Sequence, residues 1–168
     1  MPVQHADQKT PKLRTDIQAI LTVLGRRTGT DKEEERQRLD LVRSQLNGVI
    51  LAEGAHLERA LLAWAQLQGA YLVDAQLQGA DLIEAHLDRA YLQRAHLEDA
   101  YLDRAQLSFV HLEDAYLDRA HLAGAQLQGV DLRLALELTQ DQVNTACVDE
   151  NTRLPEGLTK PPPCPANP

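Results

Sequence analysis

Leucine stands at every fifth position from Leu57 to Leu132 without a gap. Two residues before each leucine is a small residue. It is alanine from Ala55 to Ala125 except for Val110, and then Val130. Residues 55–134 are therefore sixteen consecutive pentads of the form A-x-L-x-x. Three looser pentads precede them, LDLVR (39–43), SQLNG (44–48) and VILAE (49–53), after which Gly54 shifts the register by one.

A period of five excludes the ordinary elements. Ala, Leu, Gln, Glu and Arg all favour helix, yet five residues turn an α-helix by about 500°. Successive leucines would then face every direction and form no buried stripe. In one long strand, positions five apart face opposite sides. Within a pentad, however, Ala and Leu are two apart and share a side if that short piece is extended. A quarter turn after each pentad then gives a square coil of four pentads per circuit, with Ala and Leu inside. Leu82, Leu102 and Leu122 stack in the middle of such a core. At a coil spacing of roughly 4.8 Å, sixteen pentads make a column about 20 Å tall. Val110 and Val130 are twenty apart and stack on one side, where the wall is expected to bulge.

The run AQLQGADLIEAHLDRAYL (75–92) resembles the pentapeptide-repeat family. The resemblance extends over 55–134, and with the looser pentads over 39–134. It implies an all-β solenoid, the right-handed quadrilateral β-helix. One departure is the residue before leucine. The family commonly has Asp or Asn there, and this chain has mostly His, Gln or Tyr.

The open ends of a stacked coil need covering, and short α-helical caps are expected at both. Residues 1–38 read as an N-terminal helical cap and charged linker. Thr15 or Asp16 caps a helix to Arg26 whose Ile17, Ile20, Leu21 and Leu24 share a face. This helix is either a lid on the coil or a docking element for a partner. Residues 135–158 read as the C-terminal cap. Thr139–Gln142 forms a capping box opening a helix to about Cys147, with Leu138, Val143 and Leu154 as contacts. The segment resembles the C-terminal extension of pentapeptide-repeat proteins. Residues 159–168, TKPPPCPANP, read as a disordered proline-rich tail.

Composition narrows the function. Net charge is −8, which argues against direct nucleic-acid binding, since that needs a basic face. The two cysteines, Cys147 and Cys164, make no disulfide framework or metal cluster, and Cys147 reads as a small buried hydrophobe. A reducing compartment and a cytoplasmic location follow. No apolar run approaches a membrane span, and the N-terminus has no secretory h-region.

Residues twenty apart stack in outward columns. The residues before leucine form four of them: His56-Gln76-His96-Tyr116, Leu61-Asp81-Tyr101-His121, Gln66-His86-Gln106-Gln126 and Tyr71-Tyr91-His111-Asp131. No two histidines fall on adjacent coils, so no metal site is expected. His111 over Asp131 suggests a hydrogen-bonded pair without a nucleophile beside it. No phosphate loop or nucleophile elbow occurs, so no catalytic residue, cofactor or enzyme activity is expected. Tyr71, Tyr91 and His111 read as an aromatic stack and the foremost recognition strip. Trp64 and Phe109 fall at outward corners and are further candidate contacts.

The leading reading is a non-enzymatic, monomeric scaffold that binds an unidentified protein partner. The alternative comes from the resemblance: some family members mimic DNA, bind DNA gyrase and confer quinolone resistance. Three walls here sum to about −2 and the Gln66 wall to zero, with arginines following aspartates at Arg89, Arg104 and Arg119. The central position holds leucine rather than the phenylalanine common among gyrase binders.

Overall fold

The computed structural model describes residues 38–51, 54–162 and 164. The chain winds as a square coil. Parallel bridges join each side to the one a circuit away: His56 to Gln76, Gln76 to His96 and His96 to Tyr116 on one wall, with the same separation of twenty on the others. The N–H before each leucine donates back one circuit, as Tyr101 does to the Ala80 carbonyl at 2.9 Å. The leucine N–H donates forward, as Leu82 does to Tyr101 at 2.8 Å. One bridged residue per side is thus enough to knit the coils together.

The quarter turn has a backbone cause. After each leucine, the N–H of the next small residue donates to the leucine carbonyl, as Ala90 does to Leu87 at 2.9 Å. The residue before that alanine is left-handed. From Arg59 to Arg119 the non-glycine corners have φ between 52° and 58°. A four-residue turn with a positive φ at its third position reverses the chain tightly. Side chains normally resist this conformation by about 1–2 kcal/mol per residue. Here ladder and turn hydrogen bonds on both sides of every corner hold it.

Leucine and alanine fill the interior as expected. Leu82, Leu102 and Leu122 are all buried, and the alanines between them are closed off from solvent. Asp40, Gln45 and Ile50 bridge to Leu61, Gln66 and Tyr71, a separation of 21 rather than twenty. Gly54, at φ 70°, lies between the two registers, so the looser pentads form a three-sided partial circuit ahead of the four full ones of 55–134. The valine wall does open. No bridge joins His111 to Asp131 among the described residues, and the Val130 N–Leu127 O turn bond stretches to 3.3 Å. The suggested His111–Asp131 pair does not form. Arg133 instead clasps Asp131 at 2.9 and 2.7 Å.

Helix α1, Gln140–Thr145, starts at Thr139 with both bonds of the capping box in place. Val143 is buried, and Leu138 and Leu154 pack on the core. Gln142 Nε2 donates to the Leu117 and Ala120 carbonyls at 2.7 and 3.0 Å, tying α1 to the coil below. Pairing also continues beyond 134. Leu136, Cys147 and Arg153 bridge to Tyr116, Gln126 and Asp131, at separations of 20, 21 and 22. Residues 135–153 therefore add a fifth circuit in which α1 takes the place of one side.

One expectation at this end is overturned. Cys147 and Cys164 form a disulfide, with Cα atoms 5.4 Å apart. The start of the tail is tied to this end: the Thr159 N–H donates to Gln140 Oε1 at 2.8 Å and Lys160 Nζ to the Glu150 carbonyl at 2.8 Å. Side-chain bonds to α1 and the fifth circuit bring the tail back along the column, and that return places Cys164 beside Cys147. The expected N-terminal helix lies outside the described residues.

Candidate interaction surface

The outward columns stack as their twenty-residue spacing requires. Tyr71 and Tyr91 lie face to face with centroids 4.3 Å apart, and His111 continues the stack 4.8 Å from Tyr91. Shorter stacks join His96 to Tyr116 and Tyr101 to His121. The Tyr71 phenol is held above its ordinary value, first by hydrogen bonding with Tyr91 and then by repulsion between the two phenolates. Ile50 bridges to Tyr71 and is 59% exposed, so the wall carries an apolar strip from the partial circuit to His111. No other wall has a three-ring ladder among the described residues.

The corner aromatics stand beside this strip to different degrees. Phe109 is 55% exposed, lies two residues from His111, and rests its ring on Gly129. Trp64 stands a full side further away. Its Nε1 donates to Glu84 Oε2 at 3.0 Å, and the Arg43 guanidinium sits 5.3 Å above its ring. The structure therefore joins Tyr71, Tyr91, His111 and Phe109 along one edge and leaves Trp64 apart. An open notch of about 500 Å³ beside Phe109 is lined by Gln68, Gly69, Asp88, Arg89 and Ser108.

Two surface features went unread in the sequence. One is the H-x-E pairing. His56, His96 and His111 approach Glu58, Glu98 and Glu113 at 2.8, 2.9 and 3.5 Å. The signal was there, since residues two apart on an extended side face the same way. The other is ion pairing across coils. Arg94 grips Asp74 with two bonds of 2.7 and 2.6 Å, and Arg119 grips Asp99 at 2.8 and 2.9 Å. These arginines hold the Asp74 and Asp99 carboxyls below their usual range. Neutralisation thus runs mainly between corners one circuit apart, although Arg119 also meets the adjacent Asp118 at 2.7 Å. Among the described residues no group of three or more His, Cys, Asp or Glu is placed to hold a metal ion.

The family model for pentapeptide repeats matches residues 60–99 and 100–136 as eight copies. Residues 60–136 of this chain are pentapeptide repeats. Solved pentapeptide-repeat structures resemble the chain. Rfr23 from the cyanobacterium Cyanothece 51142 is 27% identical, with a TM-score of 0.54 over 75% of this chain and 69% of that one. HetL, a pentapeptide-repeat protein involved in heterocyst differentiation regulation from Nostoc sp. strain PCC 7120, is also 27% identical, with a TM-score of 0.29 over 74% of this chain and 69% of its own. QnrB1, a plasmid-mediated fluoroquinolone resistance protein, is 18% identical, with a TM-score of 0.36 over 75% of this chain and 69% of that one. Curated protein sequences include no match. The pentapeptide-repeat fold here is a right-handed β-helix, as in Rfr23. No helix among the described residues is long and apolar enough to cross a membrane.

Proposed function

We propose that this pentapeptide-repeat column is a non-enzymatic interaction module that binds a protein partner through the wall bearing Tyr71, Tyr91 and His111, with Phe109 at its edge. The three-ring ladder carries this reading. Aromatic side chains dominate interface energetics, and stacked rings lose little freedom when a partner covers them. The flat, rigid wall supplies the surface, and the ladder bonds beneath keep it from deforming.

The DNA-mimic reading is the weaker one. A mimic needs a strong, organised negative field, and here arginines grip Asp74, Asp99 and Asp131. The cytoplasmic reading rested in part on two unpaired cysteines. With Cys147 and Cys164 joined, an oxidising compartment fits the chain better.

A photo-crosslinking residue placed in turn at Tyr71, Tyr91 and, on the neutral wall, Gln106 tests the proposal in the cell of origin. One shared adduct from the two tyrosine sites and none from Gln106 is expected. Adducts from Gln106 alone would move the binding face to the neutral wall.

A further inference from the structure

The tail after the fifth circuit is held differently from everything before it. Cys147 sits in the coil ladder, its N–H donating to the Ala125 carbonyl and its carbonyl accepting from Leu127, both at 2.8 Å. Its disulfide partner, Cys164, belongs to a segment with no ladder bond. The one backbone–backbone bond among the described residues of 155–164 is local, from Leu158 to Pro155 at 3.2 Å. Pro161 and Pro162 have no N–H to offer. Apart from the disulfide, the polar ties are exposed side-chain bonds: Gln140 with Thr159 at 2.8 and 2.9 Å, and Lys160 with the Glu150 carbonyl at 2.8 Å. Such bonds compete with water and are individually weak. The covalent link keeps their partners together at high effective concentration.

We propose that the Cys147–Cys164 disulfide is a redox-operated latch that holds residues 155–162 and 164 against α1 and opens without unfolding the coil. The reductant is a dithiol. Its thiolate attacks the sulfur of Cys164, the more accessible of the pair since Cys147 is buried. The S–S bond breaks and Cys147 leaves as a thiolate, which takes up a proton. The reductant's second thiol then attacks the mixed disulfide and releases Cys164 as a thiol. Two electrons and two protons pass to the cysteines, and the dithiol becomes a disulfide. Cys147 keeps its place because its backbone remains paired to Ala125 and Leu127. Cys164 leaves with the tail, uncovering Gln140 of α1 and the Glu150 carbonyl. The end of the column then presents a different surface while its walls stay the same.

Hydrogen exchange read by NMR on the full chain tests the latch, before and after dithiothreitol, with thiol titration to count reduced cysteines. The oxidised protein should protect the Thr159 amide. Reduction should release two thiols and abolish that protection, leaving the Leu92 and Leu97 amides unchanged, and reoxidation should restore it. Cys164→Ser should match the reduced protein without any reductant. Three results would overturn the proposal. The first is that Thr159 stays protected once both thiols are free, so that the side-chain bonds suffice. The second is that the coil amides lose protection together with Thr159, making the bond a structural staple. The third is that the disulfide resists dithiothreitol in the folded protein.

Discussion

Leu102 is 1% exposed and packed between leucines of the coils above and below. The backbone ladder cannot close around a missing side chain. Leu102→Ala should therefore destabilise the protein by about 2–5 kcal/mol, seen as a lower denaturation midpoint. Gly129 presents a different constraint. Its φ is +69° and an added Cβ would collide with the Phe109 ring. Gly129→Ala should destabilise through both effects. Adding Phe109→Ala should recover the part due to the collision and leave the part due to backbone strain, as a double-mutant cycle in denaturant would show. The inward residues were legible because Leu repeats without a gap and Ala yields only at Val110 and Val130. The left-handed corners were not, because that position is filled by Arg, Trp, Asp, Glu, Phe and Gly. No residue preference marks them; the hydrogen-bonded turn imposes the conformation.

Among the elements, the fifth circuit departs most from the repeat. Its Asp149 accepts bonds from the Gly129 N–H at 3.0 Å and from the Thr152 N–H and hydroxyl at 2.8 Å each. Burial alone would raise this carboxyl, but bonds from Gly129, Thr152 and Asn151 outweigh it and bring its pKa down to about 2. The folded value lies below the unfolded one of 3.8. The contribution is therefore complete above about pH 4 and is lost as pH falls toward 2. Unfolding free energy measured across that window should fall less steeply in Asp149→Asn than in the native protein. Helix α1 was legible from its Thr139–Gln142 capping box. The circuit around it was not, since Cys147 and Arg153 keep the bridging role but abandon the five-residue spacing. The disulfide was hidden for a related reason. Two cysteines seventeen apart carry no pairing signal, and their meeting depends on the return path of the tail.

At the scale of the molecule, charge decides what the column resembles. The acidic corners Asp74 and Asp99 are tied to arginines one circuit away, so the field along the rod is broken rather than continuous. In a DNA gyrase supercoiling assay the protein should give no inhibition at tens of micromolar. Inhibition at sub-micromolar protein that is lost on neutralising Asp99, Asp103 and Asp114 would reverse that reading. The four walls and their columns were legible because twenty is four times five. Which wall meets a partner was not, because the repeat treats every side alike.

The separation of twenty recurs from His56–Gln76 through Gln106–Gln126, and it makes the length of this protein quantised. Deleting residues 75–94 would join Asp74 to Ala95, a left-handed corner followed by alanine, as at the other junctions. His56 would then lie one level below His96, and the remaining walls would keep their alignment in a shorter rod. A change of five, ten or fifteen residues also preserves the core, but it swings everything downstream onto another face. The two copies of HLEDAYLDRA, fifteen residues apart, show the outcome: one motif displayed in two directions. A lineage of such chains can thus alter reach and facing independently, through nothing more than the number of pentads gained or lost.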